Sequence, residues 1–250
     1  MPRQFEFAHN LHHCATAAMV SHAEMEKRAQ HLKAQIGETE ASLPAHERTY
    51  RALRDMILFG ALTPGEPVTI QGLTDRLRTG MTPVREALRR LTAEGALMAQ
   101  GNRRIMVPVL DLPALGELTD ARLALETNLA ARAAQRVDRP DLAALSRIDT
   151  GLDLAMERGD IPAYLRENYR FHTSLYVLAD APILSALTQS LWLRFGPSLR
   201  IVCGKAGTSG LPDRHKDLLV ALEQKDPTAA TRAVEDDIRQ GMDLIADNLV

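Results

Sequence analysis

Two groups of residues in this 250-residue chain have the types and spacing to do chemistry. The first follows Thr82 and Pro83, where Arg85, Arg89 and Arg90 recur at helical intervals. Such a helix start suits a phosphate or a base edge, because free backbone N–H groups and the helix dipole favour negative charge there. The second group is dispersed. Asn168 and His172 are four apart and so share a helical face, His215 follows downstream, and Asp237 lies 22 residues beyond it. An amide or carboxylate oxygen with two imidazoles suits a divalent transition metal if three helices converge on one cavity. Hydrogen-bonded structural histidines satisfy the same pattern.

The elements that position the first group form a helix-turn-helix. Leu73 and Leu77 share one face of a short helix, and Gly80 breaks it. A second helix opens with Thr82 as N-cap, Pro83 at the first helical position and Glu86 in the first turn. Val84, Leu88 and Leu91 make its apolar stripe, which turns the arginines outward. Tyr50, Leu53, Ile57 and Leu58 give the buried face of a preceding helix that ends at Phe59-Gly60. After Gly95, Ala96 to Gln100 and Arg104 to Val109 can pair as a hairpin across Gly101-Asn102, with Arg103 and Arg104 at or beside its tip. A small helical core with solvated arginines is the plainer alternative.

From Asp111 the pattern is helical throughout, with no alternation at period two. Six helices are predicted, at about 112–136, 140–157, 161–178, 182–202, 211–224 and 227–248, with Gly196-Pro197 expected to kink or split the fourth. The fold class is therefore mainly α: an N-terminal winged helix-turn-helix with a small β-hairpin, then an all-α six-helix bundle. Arg122 stands one turn before Glu126, the spacing of an intrahelical ion pair.

Three segments follow: an extension over 1–41, a winged module over 42–110, and a helical module over 111–250. Charge divides along them. Residues 42–110 carry ten basic against six acidic side chains, a net +4, whereas residues 111–250 carry 16 against 21, a net -5. That is the footprint of a chain that neutralises phosphates with one part and does something else with the other. The first 41 residues hold five of the eight histidines without a ligand spacing, and we read them as a poorly constrained extension. Cys14 and Cys203 form no ligand spacing, and no apolar run matches a membrane span or signal peptide, so a cytoplasmic location is expected.

Residues 47–109 resemble the DNA-binding domain of the GntR family of bacterial transcription regulators. The matching residues are Leu53, Ile57, Gly60, Pro64-Gly65, Leu73, Leu77, the run Thr82-Pro83-Val84-Arg85-Glu86-Ala87-Leu88, Leu91 and Glu94-Gly95. Arg78, Gly80 and Met81 depart from the pattern, where Gly, Ser or Thr, and Arg are usual. Residues 112–248 are similar to the FCD ligand-binding domain of the FadR-like subfamily, through Leu118 to Glu126, Asn168-Tyr169-Arg170-Phe171-His172, and His215 to Leu222.

The resemblance implies a homodimeric regulator, usually a repressor, that binds a short inverted-repeat operator in double-stranded DNA. Thr82 and Arg85 would meet the groove, and Arg89, Arg90, Arg103 and Arg104 the backbone. It also implies a divalent metal (zinc, nickel or manganese) held by Asn168, His172, His215 and Asp237, the last standing where His is usual. A small carboxylate effector would be held by Arg122, with Arg194 a second candidate. Two rivals remain: a metal-dependent helical-bundle enzyme using the same four residues, and a regulator for which the metal itself is the signal.

Overall fold

The computed structural model describes residues 42–101, 104–206 and 214–249. From Ala45 onward the chain forms a single compact unit. Helix α1 (Ala45–Leu58) buries Tyr50, Leu53, Ile57 and Leu58, the predicted face. Gly60 follows at φ +66°, and a side chain there would collide with the stem of Arg200. Helix α2 (Ile70–Leu77) is capped by Thr69, whose hydroxyl accepts from the Gly72 N–H. It ends at Arg78, which adopts φ +50°. That left-handed conformation is the one a glycine takes without cost.

Helix α3 (Met81–Ala93) buries Val84, Ala87, Leu88 and Leu91 against α1 and α2. It begins two residues earlier than Thr82 as N-cap would place it: Gly80 is the N-cap, and Thr82 and Pro83 lie within the first turn. Proline is tolerated there because the first N–H groups of a helix have no intrahelical acceptor. Strands β2 (Met98–Gln100) and β3 (Arg104–Met106) form the predicted hairpin. An unanticipated two-residue strand, β1 (Pro67–Val68), pairs with the other edge of β3, giving the sheet order β1-β3-β2.

Helices α4 (Leu112–Arg136), α5 (Arg139–Glu157), α6 (Ile161–Leu178), α7 (Pro182–Ala206), α8 (Arg214–Glu223) and α9 (Pro227–Ala246) build the second module. Four of them start alike. Asp111, Asp138, Asp160 and Asp226 each accept a first-turn N–H, and a proline within the next two residues occupies a position that needs no donor. These local starts explain why the predicted helices agree with the structure to within a few residues. Helix α7 runs unbroken through Pro197, so it is not split as one expectation allowed. Within the bundle α4 packs along α9, α5 against α6, and α8 against α9. Helix α7 contacts α4 and α6 and also reaches α1 of the winged module. At that crossing Gly196 admits the Leu58 carbonyl, which a Cβ at 196 would approach to 2.9 Å.

Candidate functional site

The outward face of α3 is built by elimination. Burial of Val84, Leu88 and Leu91 leaves Thr82, Arg85 and Arg89 exposed on one strip. Gly80 supplies no side-chain cap, so the first-turn N–H groups have no capping oxygen from that residue. Arg104 is exposed at the start of β3. Arg103 lies outside the described residues.

Arg90 differs from the expectation. Its guanidinium lies 3.5 Å from the centroid of the Tyr50 ring, pairs with Glu94 at 3.1 Å and with Glu47 at 3.0 Å. Tyr50 donates its hydroxyl to Glu94 at 2.9 Å, and burial together with that carboxylate pushes its pKa up to about 12. Arg90 therefore braces α3 against α1, with part of its guanidinium committed to Glu47 and Glu94. Its Glu94 partner sits one helical turn on.

In the second module a cavity of about 50 Å3 lies among α4, α6, α7 and α9. Arg122, Asn168, His172, Trp192, Cys203 and Asp237 are among its lining residues. His172 and His215 are buried on α6 and α8, and their Nε2 atoms face each other at 3.3 Å. Asp237 of α9 completes the group, its Oδ2 3.3 Å from His172 Nε2 and its Oδ1 3.9 Å from His215 Nε2. Ligands about 2.0–2.1 Å from a tetrahedral zinc lie about 3.3–3.4 Å apart, so two of these three edges already have the length a shared ion requires. Among the described residues this is the cluster of histidine and carboxylate atoms able to share an ion. Burial opposes ionisation of Asp237, but His172, His215 and Arg122 outweigh it and hold the carboxyl well below the usual range. Asn168 is one turn before His172 and lines the same cavity.

Arg122 forms the intrahelical pair and also lines the cavity. Its Nε and Nη2 form a two-point pair with Glu126 at 2.6 and 3.2 Å, and the side chain still lines the cavity. It also lies 4.2 Å from the Phe195 ring centroid. Glu126 accepts from Tyr176, whose hydroxyl accepts from Trp192 Nε1 at 3.2 Å. Trp192 is thus core and cavity wall at once. Arg194 departs from the expectation: it is exposed, is not among the residues lining the cavity, and reaches the Glu94 carbonyl at 3.5 Å over Gly95.

The sequence reading missed Asp149. It sits on α5 among Leu145, Ile148 and Leu152, is buried, and lies 3.4 Å from His215 Nδ1. A carboxylate within an apolar helical stripe was the available signal. Also missed was a chain of contacts leaving the cavity. Trp192 packs edge-on to Tyr169 at 5.3 Å, Tyr169 meets Phe59 at 5.9 Å, and its hydroxyl accepts from Arg54 of α1 at 2.6 Å.

Comparison with known proteins accounts for both modules. Residues 45–107 match the family described as bacterial regulatory proteins, gntR family, and residues 117–240 match the FCD domain. The HTH-type transcriptional regulator McbR of Escherichia coli (strain K12) is 29% identical over 77% of this chain and 89% of its own. A probable D-xylose utilization operon transcriptional repressor of Paenarthrobacter nicotinovorans is 27% identical over 73% of this chain and 82% of its own. The solved structure of E. coli McbR/YncC superposes with a TM-score of 0.77 at 27% identity, covering 82% of this chain and 99% of that one. These relatives are regulators, which sets aside the metalloenzyme alternative. Among the described residues no helix is long and apolar enough to cross a membrane.

Proposed function

Because this chain belongs to the gntR family of bacterial regulatory proteins and carries an FCD domain, we propose that a small carboxylate, held beside a divalent metal in the helical cavity, governs its grip on an operator. The protein is a DNA-binding transcription regulator. In this reading it acts as a repressor. Thr82, Arg85 and Arg89 enter the major groove, Arg104 meets a phosphate beside it, and two copies of the chain read an inverted repeat.

The observation that carries the metal reading is the meeting of two buried Nε2 atoms at 3.3 Å. Two imidazole nitrogens facing each other cannot both carry protons without repulsion, and a cation satisfies both lone pairs together with Asp237. Asn168, His172, His215 and Asp237 are the residues that would hold it. A bound dication would offer a carboxylate an electrophilic anchor. Arg122 supplies the second point, because its Nη1 makes no hydrogen bond among the described residues while Nε and Nη2 are committed to Glu126. Glu126 offsets the Arg122 charge and Asp237 adds a negative one, so the cavity lining repels an anion until a cation balances it. A volume of about 50 Å3 compares with roughly 10–15 Å3 for one water, so the effector is a compact acid unless the apolar wall moves.

Helix α7 connects this cavity to the output. Trp192, Phe195, Leu199 and Cys203 line the cavity, while Gly196 and Arg200 meet Leu58 and Gly60 of the winged module. A ligand that prefers one placement of α7 therefore biases the placement of α1 and α3, which is the differential affinity that allostery requires.

Metal analysis of purified protein, followed by operator binding after chelation and after reloading with zinc, nickel or manganese, tests the reading. Lactate and malonate serve as probe acids. Bound metal at one ion per chain, and weakening of operator binding by an acid only in the loaded protein, are expected. Protein that retains none of the three metals refutes it; a response to metal with no acid present favours a direct metal sensor instead.

A further inference from the structure

We infer that Asp149 is a positioning residue that fixes which edge of His215 faces the cavity. The two histidines of the cluster are held differently. His215 is stacked on Phe171, with ring centroids 4.1 Å apart and planes inclined by 21°, which sets the plane of its ring. Stacking does not, however, distinguish one ring edge from the other. Asp149 Oδ1 lies 3.4 Å from His215 Nδ1, within ion-pair reach. That oxygen is buried and accepts no hydrogen bond. A buried carboxylate oxygen left without a donor is costly, and His215 Nδ1 at 3.4 Å is a nitrogen placed to relieve it.

With the proton on Nδ1 and directed at Asp149, Nε2 is bare and faces His172 and Asp237. Lys216, whose ammonium lies 3.8 Å from Asp149 Oδ2, steadies the carboxylate from the solvent side. His172 has no such backing, for its Nδ1 is buried without a partner. Asp149 thus makes His215 the better oriented of the two imidazoles. A carboxylate behind a ligating histidine typically changes metal affinity by about 10- to 100-fold.

This inference rests on the metal reading for its consequence, but its test separates the two. Nitrogen-15 spectra of histidine-labelled, metal-free protein at mildly alkaline pH report the tautomer directly, with H215Q assigning the signal. Wild-type His215 should carry its proton on Nδ1. Asp149→Ala should lose that preference while His172 is unmoved, and zinc affinity, measured by chelator competition, should fall about 10- to 100-fold. Asp149→Asn keeps an accepting oxygen and should recover the tautomer and part of the affinity. An unchanged His215 tautomer in the alanine variant overturns the inference. Wild-type protein that shows the tautomer but binds no zinc overturns the metal reading alone.

Discussion

The two modules place their polar groups in opposite ways. In the winged module Thr49 is the buried polar side chain among the described residues, and its hydroxyl bonds back to the Ala45 carbonyl and meets the Thr79 hydroxyl at 3.4 Å. The helical module buries Arg122, Glu126, Asp149, Asn168, His172, Thr188, Ser198 and His215. One module keeps its chemistry on the outside, where a nucleic acid can reach it. The other gives up apolar core to enclose charge, at a desolvation cost that its internal pairs offset. Exposed arginines cost little to keep, because water solvates them. Enclosed ones must be neutralised before any ligand arrives, as Glu126 neutralises Arg122.

The largest effect that can test this contrast is loss of the buried pair. Glu126→Ala leaves Arg122 charged, enclosed and unpaired, and should lower unfolding free energy in urea by about 3–5 kcal/mol. A loss below about 1 kcal/mol would mean that the interior is as well solvated as the surface. Next comes the difference between two neighbouring arginines. Arg85→Ala should weaken operator binding by about 1–3 kcal/mol at fixed salt, with unfolding unchanged. Arg90→Ala should do the reverse, leaving operator affinity near wild type and costing about 1 kcal/mol of stability through its ion pairs and the Tyr50 ring. Equal losses of DNA affinity in the two variants would return Arg90 to the operator. The smallest effect concerns the link between the modules. Tyr169→Phe removes the acceptor for Arg54 and should narrow the effector-driven change in operator affinity by about 0.5–2 kcal/mol, while effector binding itself persists. A response of full size would move the coupling elsewhere along α7.

Much of this was legible because it is local. The Asp-and-proline helix starts, the buried faces of α1 and α3 and the hairpin across Gly101 are specified within a few residues. Arg78 shows that even a departure can be read: a residue lacking glycine's freedom still takes φ +50° at the turn, because the packing of α2 and α3 fixes the corner. What escaped was tertiary or too short to have a period. Strand β1 is two residues long and owes its existence to β3. Arg194 and Arg122 are indistinguishable as isolated arginines on apolar helices. Only the crossing of α7 over the winged module sends one outward to Glu94 while the other is enclosed. The start of α3 was misplaced because Thr-Pro is the stronger local signal, whereas Gly80 caps by backbone shape alone. His172, His215 and Asp237 were singled out by residue type. Asp149 belongs to a fourth helix, and no spacing along the chain connects it to them.

Pro197 lies one residue beyond the close approach of Gly196 to Leu58, and it gives the Leu193 carbonyl no N–H to accept. In the language of mechanics, α7 is two levers sharing a joint. The arm carrying Trp192 lines the cavity, the arm carrying Arg200 packs against the corner at Gly60, and the joint has one fewer hydrogen bond to resist bending. Amide exchange should accordingly divide at this proline, with the two arms protected to different degrees and each answering to its own neighbour.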